Sequence, residues 1–252
     1  MDSINSFTQS CGHGSGILPQ ENQLGKKIGE CIMQKDKISV PVIKRLPRYY
    51  RFLGDLLDNG IERISSRELS DKMGLTASQI RQDLNCFGGF GQQGYGYSVS
   101  GLYQEIGRIL GLHHRYPAIL IGAGHLGTAV AVHMAFEKRG FRLIGVFDND
   151  PKKIGKTIGD NQVENIEALN SFCHEHTVET AFLCVPKTAA PEIAEQLYGL
   201  GIRSFWNFSH YDLAMHYPDV IVENVHLNDS LMILCYKIAD SKSNTAYPEQ
   251  TE

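Results

Sequence analysis

The chain has 252 residues, of which 42% are hydrophobic, and a formal net charge of −4, which suits one large domain or two of ordinary size with a real core. No apolar run approaches the roughly 18 residues that mark a membrane helix. The opening MDSINSFTQSCGHGSG has no basic stretch followed by an apolar one, so neither a membrane span nor a signal peptide is expected. Six cysteines without a C-x-x-C pair or disulfide-like spacing point to a reducing, cytoplasmic setting. Cys184 and Cys235 read as buried small hydrophobes, and Cys11 with His13 is too sparse a set to hold a metal.

Along the chain, residues 1–36 are rich in Gly, Ser, Gln and Asn and lack periodicity, so they read as a disordered extension. In IKRLPRYYRFLGDLLDNG the residues Tyr49, Phe52, Leu53, Leu56 and Leu57 recur at helical spacing until Asn59-Gly60 stops them. ISSRELSDKMG follows, with Ser65 or Ser66 as N-cap, Glu68 in the first turn and Gly74 as the stop. TASQIRQDLNCFG then starts on Thr76 and carries Ile80, Leu84 and Phe87 at i, i+4 and i+7. Two short helices across a glycine-containing turn make a helix-turn-helix pattern. GGFGQQGYGYSV, with alternating Tyr95, Tyr97 and Val99, predicts a small hairpin, and LYQEIGRILGL one more helix. HHRYP reads as a linker closed by Pro117.

From residue 118 the period changes. Strands over 118–122, 142–148, 180–185 and 203–208 alternate with helices over 125–139, 165–175 and 188–199, which predicts an α/β unit with a parallel sheet. A strand in DVIVENV leads into a last helix whose Leu227, Leu231, Leu234 and Ile238 form an apolar stripe. Such a helix packs on its own domain or on a partner. The predicted organisation is an extension (1–36), a winged helix-turn-helix domain (37–115), a Rossmann-like domain (116–226), a C-terminal helix (227–240) and a flexible tail (241–252).

The junction of the first 118–122 strand and its helix reads Gly122-Ala123-Gly124-His125-Leu126-Gly127, a G-x-G-x-x-G turn. Gly122 permits the tight turn, Gly124 lets backbone approach a pyrophosphate, and Gly127 lets helix and strand pack closely. The helix N-terminus presents free N–H groups to phosphate. Asp148, 21 residues past Gly127, stands where a ribose-binding carboxylate is expected and favours NAD(H) over NADP(H). The alternative is a set of glycines that only makes a tight turn. As for catalysis, His125, Lys187, His210 and Tyr211 are the candidates beside a nicotinamide, but no pair has a recognisable catalytic spacing. A non-enzymatic role is therefore expected, with an NAD-dependent oxidoreductase as the alternative.

The region before the glycine turn is basic. Residues 37–116 hold eleven Lys and Arg against seven Asp and Glu, while residues 117–252 hold ten against seventeen, a split that hints at double-stranded DNA for the front half. The second helix of a helix-turn-helix offers its first residues to base edges. Here these include Ser78, Gln79, Arg81 and Gln82, where Gln suits adenine and Arg guanine. Lys44, Arg45 and Arg48 are placed to hold phosphates, Tyr95 to reach backbone or minor groove from the wing, and Asp83 to bridge internally. Cys86 is expected to pack beneath the helix. A three-helix bundle used only for dimerisation is the alternative.

IKRLPRYYRFL, ISSRELSDKMG, ASQIRQDLNCFGGFGQQGYGY, IGAGHLGTAV, FDNDPKKIG, VPKTAAPEIAEQLYGLGI and WNFS occur in that order. Together, over about residues 38–238, they resemble the Rex family of redox-sensing transcriptional repressors. The resemblance implies a winged-helix domain, a Rossmann domain, a homodimer exchanging its C-terminal helix, and operator binding relieved by NADH without turnover. By position it implies that Pro186 and Phe208 lie near the nicotinamide and that Tyr97 meets it from the winged-helix side. It further implies that Arg45 pairs with an aspartate opening the exchanged helix. This chain departs at two places. Val225-His226-Leu227 stands where the family carries hydrophobic-Asp-Leu, and His125 where it usually carries Asn. His226 therefore leaves Arg45 without that partner, unless Asp229 substitutes, and a weakened or altered response to NADH versus NAD+ is expected as a variant of the reading.

Overall fold

A computed structural model describes residues 38–86, 91–92 and 96–245; the extension over 1–36, Phe87, Tyr95 and the end of the tail lie outside the described residues. The chain divides after Leu110 into two compact units, where the sequence had suggested a border at 115/116. Residues 111–115 group with the second unit, and beside them the Tyr116 amide donates to the Gly140 carbonyl.

The first unit opens with α1 (Val40–Asp58), entered through Pro41 and carrying Pro47 inside it. Its apolar residues Val42, Leu46, Tyr49, Leu53 and Leu56 face inward at 3.6-residue spacing. β1 (Arg63–Ile64) precedes α2 (Ser66–Met73), where Ser65 and Glu68 form a reciprocal capping box and Gly74 ends the helix in the left-handed region. α3 (Ala77–Asn85) is capped by Thr76, whose hydroxyl accepts from the Gln79 amide. β2 (Gly91–Gln92) and β3 (Gly96–Ser98) follow, in the sheet order β1-β3-β2, antiparallel throughout. The hairpin stops at Ser98. Val99 opens α4 (Val99–Ile109) instead of extending the strand, because the Ser98 hydroxyl takes up the Gly101 amide as an N-cap. One core joins the four helices through Leu46, Leu53, Leu69, Ile80, Leu84, Leu102 and Ile106, and takes in Ile64 of β1 with Tyr97 of β3 packed against it.

The second unit holds a seven-stranded sheet. Its strands are β4 (Tyr116–Ile121), β5 (Phe141–Asp148), β6 (Thr157–Ile158), β7 (Asn161–Asn165), β8 (Thr180–Leu183), β9 (Ser204–Asn207) and β10 (Ile221–Asn224), in the order β10-β9-β8-β4-β5-β7-β6. Apart from the antiparallel β6–β7 hairpin every pairing is parallel. With β6 set aside this is the doubly wound order 3-2-1-4-5-6. The β6–β7 hairpin is absent from the sequence expectation, although Gly159-Asp160 between Ile158 and Asn161 is a two-residue turn signal. The helix expected over 125–139 is shorter: α5 (His125–His133) ends at Met134, and a 3₁₀ turn covers Phe136–Arg139.

Helices cover the two faces unequally. α6 (Leu169–Glu175), α7 (Ala190–Gly199) and the short α8 (Leu213–His216) share a core with Ile119, Ile121, Phe147, Leu183 and Phe205. The other face has α5, packing with Leu120, Val146, Val163 and Phe182. Beyond α5 that face is left with an open apolar cleft of about 340 Å³ lined by Phe136, Phe141, Phe182, Trp206 and Ile221. α9 (Leu227–Thr245) is exposed at every residue from 227 to 242. Cys235 is exposed on it, so the expectation of a buried thiol there does not hold. Cys184 is half-buried, and burial pushes its thiol up to about 12. Cys86 is exposed at the end of α3 and does not pack beneath it.

Candidate nucleotide site and nucleic-acid interface

In the second unit the three glycines lie between the carboxyl end of β4 and α5, at the point where the strand order reverses between β4 and β8. This is where open α/β sheets bind ligands. Gly122 has φ +99°, and an added Cβ would strike the Cys184 carbonyl. A Cβ on Gly127 would land on the Gly122 carbonyl oxygen, whereas one on Gly124 meets nothing within 4 Å. Two glycines are thus required by protein contacts. The third faces open space, as a close backbone approach to a ligand demands. Gly124 is also the N-cap and brings no side-chain acceptor, so the first amides of α5, at His125, Leu126 and Gly127, remain available to an anion. His125 and Leu126 are exposed there. The turn therefore fits a pyrophosphate.

Asp148, 6% exposed, ends β5 beside this turn. Its Oδ2 accepts from the Ala123 amide at 2.7 Å and from Lys153 Nζ at 3.1 Å, and its Oδ1 accepts from the Asp150 amide at 2.8 Å. Burial pushes its carboxyl up, but the Asp150 amide, the Lys153 ammonium and the Ala123 amide outweigh it and hold it below the usual range. A carboxylate has about four lone-pair positions. Three are occupied, which leaves one for a ribose hydroxyl. Lys153 and Lys156 line a cavity with Gly124, His125 and Thr128. Sequence reasoning missed both lysines, although Lys153 lies in FDNDPKKIG and Lys156 directly follows it, both within eight residues of Asp148. Pro186 and Phe208 follow β8 and β9 at the same end of the sheet, with Phe208 packed edge-on against Trp206.

In the first unit a buried carboxylate ties α3 to α1, and it changes the expected roles of two residues. Asp83 is fully buried. Arg45 Nε and Nη2 grip its two oxygens, each at 2.7 Å, Tyr49 Oη donates at 3.0 Å, and Gln79 Nε2 at 2.9 Å. Burial raises the Asp83 carboxyl, and the Arg45, Gln79 and Tyr49 bonds overcome it, so it sits low. The hydrogen bond from Arg45 to Asp83 in turn raises the arginine. Arg45 was expected to hold phosphate and to lack a partner once position 226 is histidine; its guanidinium is instead committed to Asp83. Gln79 was expected to face bases; its amide is turned inward. Ser78, Arg81 and Gln82 are exposed on one face of α3, and Asn85, which the sequence reading missed, completes the i, i+3, i+4, i+7 stripe. Lys44 and Arg48 are exposed on α1 together with Arg51, seven residues from Lys44 and also missed. Tyr97 is half-buried in β3, between β1 and β2. In the second unit His226 meets His210.

Two family models match the chain: a putative DNA-binding protein N-terminus over residues 37–85 and a CoA binding domain over residues 113–211. The redox-sensing transcriptional repressor Rex of Thermoanaerobacter pseudethanolicus is 52% identical over 209 residues, spanning 83% of this chain and 93% of that protein. This chain belongs to the Rex family. Rex-family crystal structures agree with the fold. RSP in complex with beta-NAD+ and operator DNA is 49% identical with a TM-score of 0.74, over 85% of this chain and 99% of that one. RSP in complex with beta-NADH is 46% identical with a TM-score of 0.75, over 83% and 98%. The Rex match spans both units, so the N-terminal helix-turn-helix and the C-terminal doubly wound sheet belong to one family architecture.

Proposed function

We propose that this chain is a DNA-binding transcriptional repressor that senses the NADH/NAD+ ratio and leaves its operator when NADH binds. The observation that carries the reading is the pairing, in one chain of the Rex family, of a helix-turn-helix with a polar, exposed second helix and a glycine turn with open space at Gly124. The RSP complexes with NADH and with NAD+ and operator DNA support it.

Ser78, Arg81 and Gln82 read double-stranded operator DNA, Arg81 suiting guanine and Gln82 adenine. Lys44 and Arg48 hold phosphates, and Tyr95 of the wing contacts the backbone. Arg45 and Gln79 act through Asp83, setting α3 against α1. Gly122, Ala123, Gly124, His125, Leu126 and Gly127 bind the pyrophosphate of NADH or NAD+, and Asp148 the adenosine ribose. Pro186, Phe208 and Tyr97 border the nicotinamide. His226 occupies the switch position in altered form, because its ring is engaged by His210.

The working form is a homodimer joined through α9. Leu227, Leu231, Leu234 and Ile238 are each about half exposed or more, and a stripe of that kind in water calls for a partner. The uncovered cleft over Phe182 and Trp206 is an apolar seat in the same unit, and two copies each offering a helix and a seat satisfy both. Among the described residues no helix is long and apolar enough to cross a membrane, and the setting is the cytoplasm, beside the operator.

Release needs two dimer shapes that differ in the spacing of their α3 helices. Moving from mostly bound to mostly free requires NADH to prefer one shape by about 5 kcal/mol. The test is operator anisotropy at fixed salt across a range of NADH to NAD+ ratios, on a duplex selected from a random pool. Release as NADH rises is expected. Failure to select any duplex overturns the reading, and sustained NADH oxidation with a panel of carbonyl substrates points to a dehydrogenase.

A further inference from the structure

We propose that His210 and His226 form a two-imidazole chelate for a borderline transition cation, Zn2+ or Cu2+. β9 and β10 are adjacent and parallel, with Asn207 opposite Asn224, so the two histidines leave the sheet side by side just beyond its carboxyl edge. Their Nδ1 atoms are 2.9 Å apart, with ring centroids at 4.9 Å and planes 20° apart. The rings therefore meet edge to edge, nitrogen to nitrogen. At that separation one proton lies between two lone pairs, since two N–H groups would repel. A cation takes the place of this proton: as the Nδ1 proton leaves to solvent the same ring takes up a proton at Nε2, so both rings stay neutral and both Nδ1 lone pairs are given to the cation. In a tetrahedral zinc site with Zn–N near 2.0–2.1 Å the two nitrogens stand roughly 3.3 Å apart and the metal lies off the line between them, so binding opens the ring edges by a few tenths of an ångström and turns each ring to aim its lone pair at the cation. Imidazole nitrogen suits zinc and copper better than magnesium or calcium.

The support is built in. His210 has φ +58°, a left-handed backbone uncommon outside glycine. The loop that holds it there is cross-braced: Asn207 Nδ2 donates to the Tyr211 carbonyl and to Asn224 Oδ1, and Asn207 Oδ1 accepts from the Ser209 amide and hydroxyl. Fixed ligand positions of this kind lower the cost of binding. Among the described residues no larger ligating cluster exists, so water completes the coordination. His226 immediately precedes Leu227, and a bound cation fastens the start of α9 to the β9 loop.

The test titrates the full chain with zinc chloride against a chromophoric chelator, beside His210→Ala and His226→Ala, with circular dichroism to confirm folding. Each variant is expected to lose at least about tenfold in affinity, the loss seen even when outer-shell partners of a metal are removed. Cu2+ electron paramagnetic resonance of the wild type should show two-nitrogen coupling that falls to one in either variant. Equal affinity in wild type and variants, or a loss confined to one of the two, overturns the chelate.

Discussion

A wholly buried carboxylate stays charged only where its partners replace water, and Asp83 has four hydrogen bonds to do so. Asp83→Asn removes the charge and leaves Arg45, 28% exposed, without its counter-ion. A loss of about 3 kcal/mol of stability is expected, read as a lower Tm of the winged-helix unit, together with weaker binding to every duplex. The pH dependence follows from the lowered Asp83 carboxyl. Its contribution is fully present above the ordinary aspartate value near 3.9 and disappears as pH falls through the lower native value. The Tm gap between wild type and Asp83→Asn should therefore close in acid; a constant gap would place the effect elsewhere. Asp148 ties the glycine turn to β5 through the Ala123 amide. Asp148→Ala is expected to weaken NADH by about 1.5–3 kcal/mol, the value of hydrogen bonds to a charged group, measured by calorimetry.

At the level of elements, the two glycines that flank His125-Leu126 separate folding from binding. Gly124 has φ −74° and open space around its Cα, so Gly124→Ala should leave Tm unchanged while obstructing the phosphates and weakening NADH. Gly127→Ala should instead lower Tm, because its Cβ meets the Gly122 carbonyl. Thermal melts and NADH titrations on both variants check the contrast. On the DNA side, α2 and α3 each start at a hydroxyl cap. Ser65→Ala is expected to cost about 1 kcal/mol without altering operator preference. Arg81→Ala, on the exposed face of α3, should relax preference at one base pair by about 1–3 kcal/mol. Selection from a random pool distinguishes the two outcomes.

For the whole molecule, the apolar residues of α9 have no cover within their own unit, and burying a leucine side chain is worth about 1.5–3 kcal/mol. Leu231→Asp with Leu234→Asp should shift the protein toward monomer in sedimentation equilibrium and abolish high-affinity operator binding; an unchanged mass would remove α9 from the interface. The sequence by itself determined what depends on near neighbours. Helical periodicity in α1 and α3, the caps at Ser65 and Thr76, the glycine turn and the alternation of strands with helices are set by residues a few positions apart, so they could be read in a line. Right-handed crossovers restrict how such a chain can wind, but the order β10-β9-β8-β4-β5-β7-β6 is set by the tertiary pairing of the strands. Only the tertiary structure decided which polar groups pair. Arg45 and Asp83 are 38 residues apart and His210 and His226 are 16 apart, and such pairings leave no periodic trace. Gln79 looked like a base reader because its place in α3 is right, yet a buried anion one turn on captures it. The bare sheet face was hidden for a similar reason. The sequence shows a hydrophobic strand, but whether a helix of the same chain covers it depends on where every crossover lands.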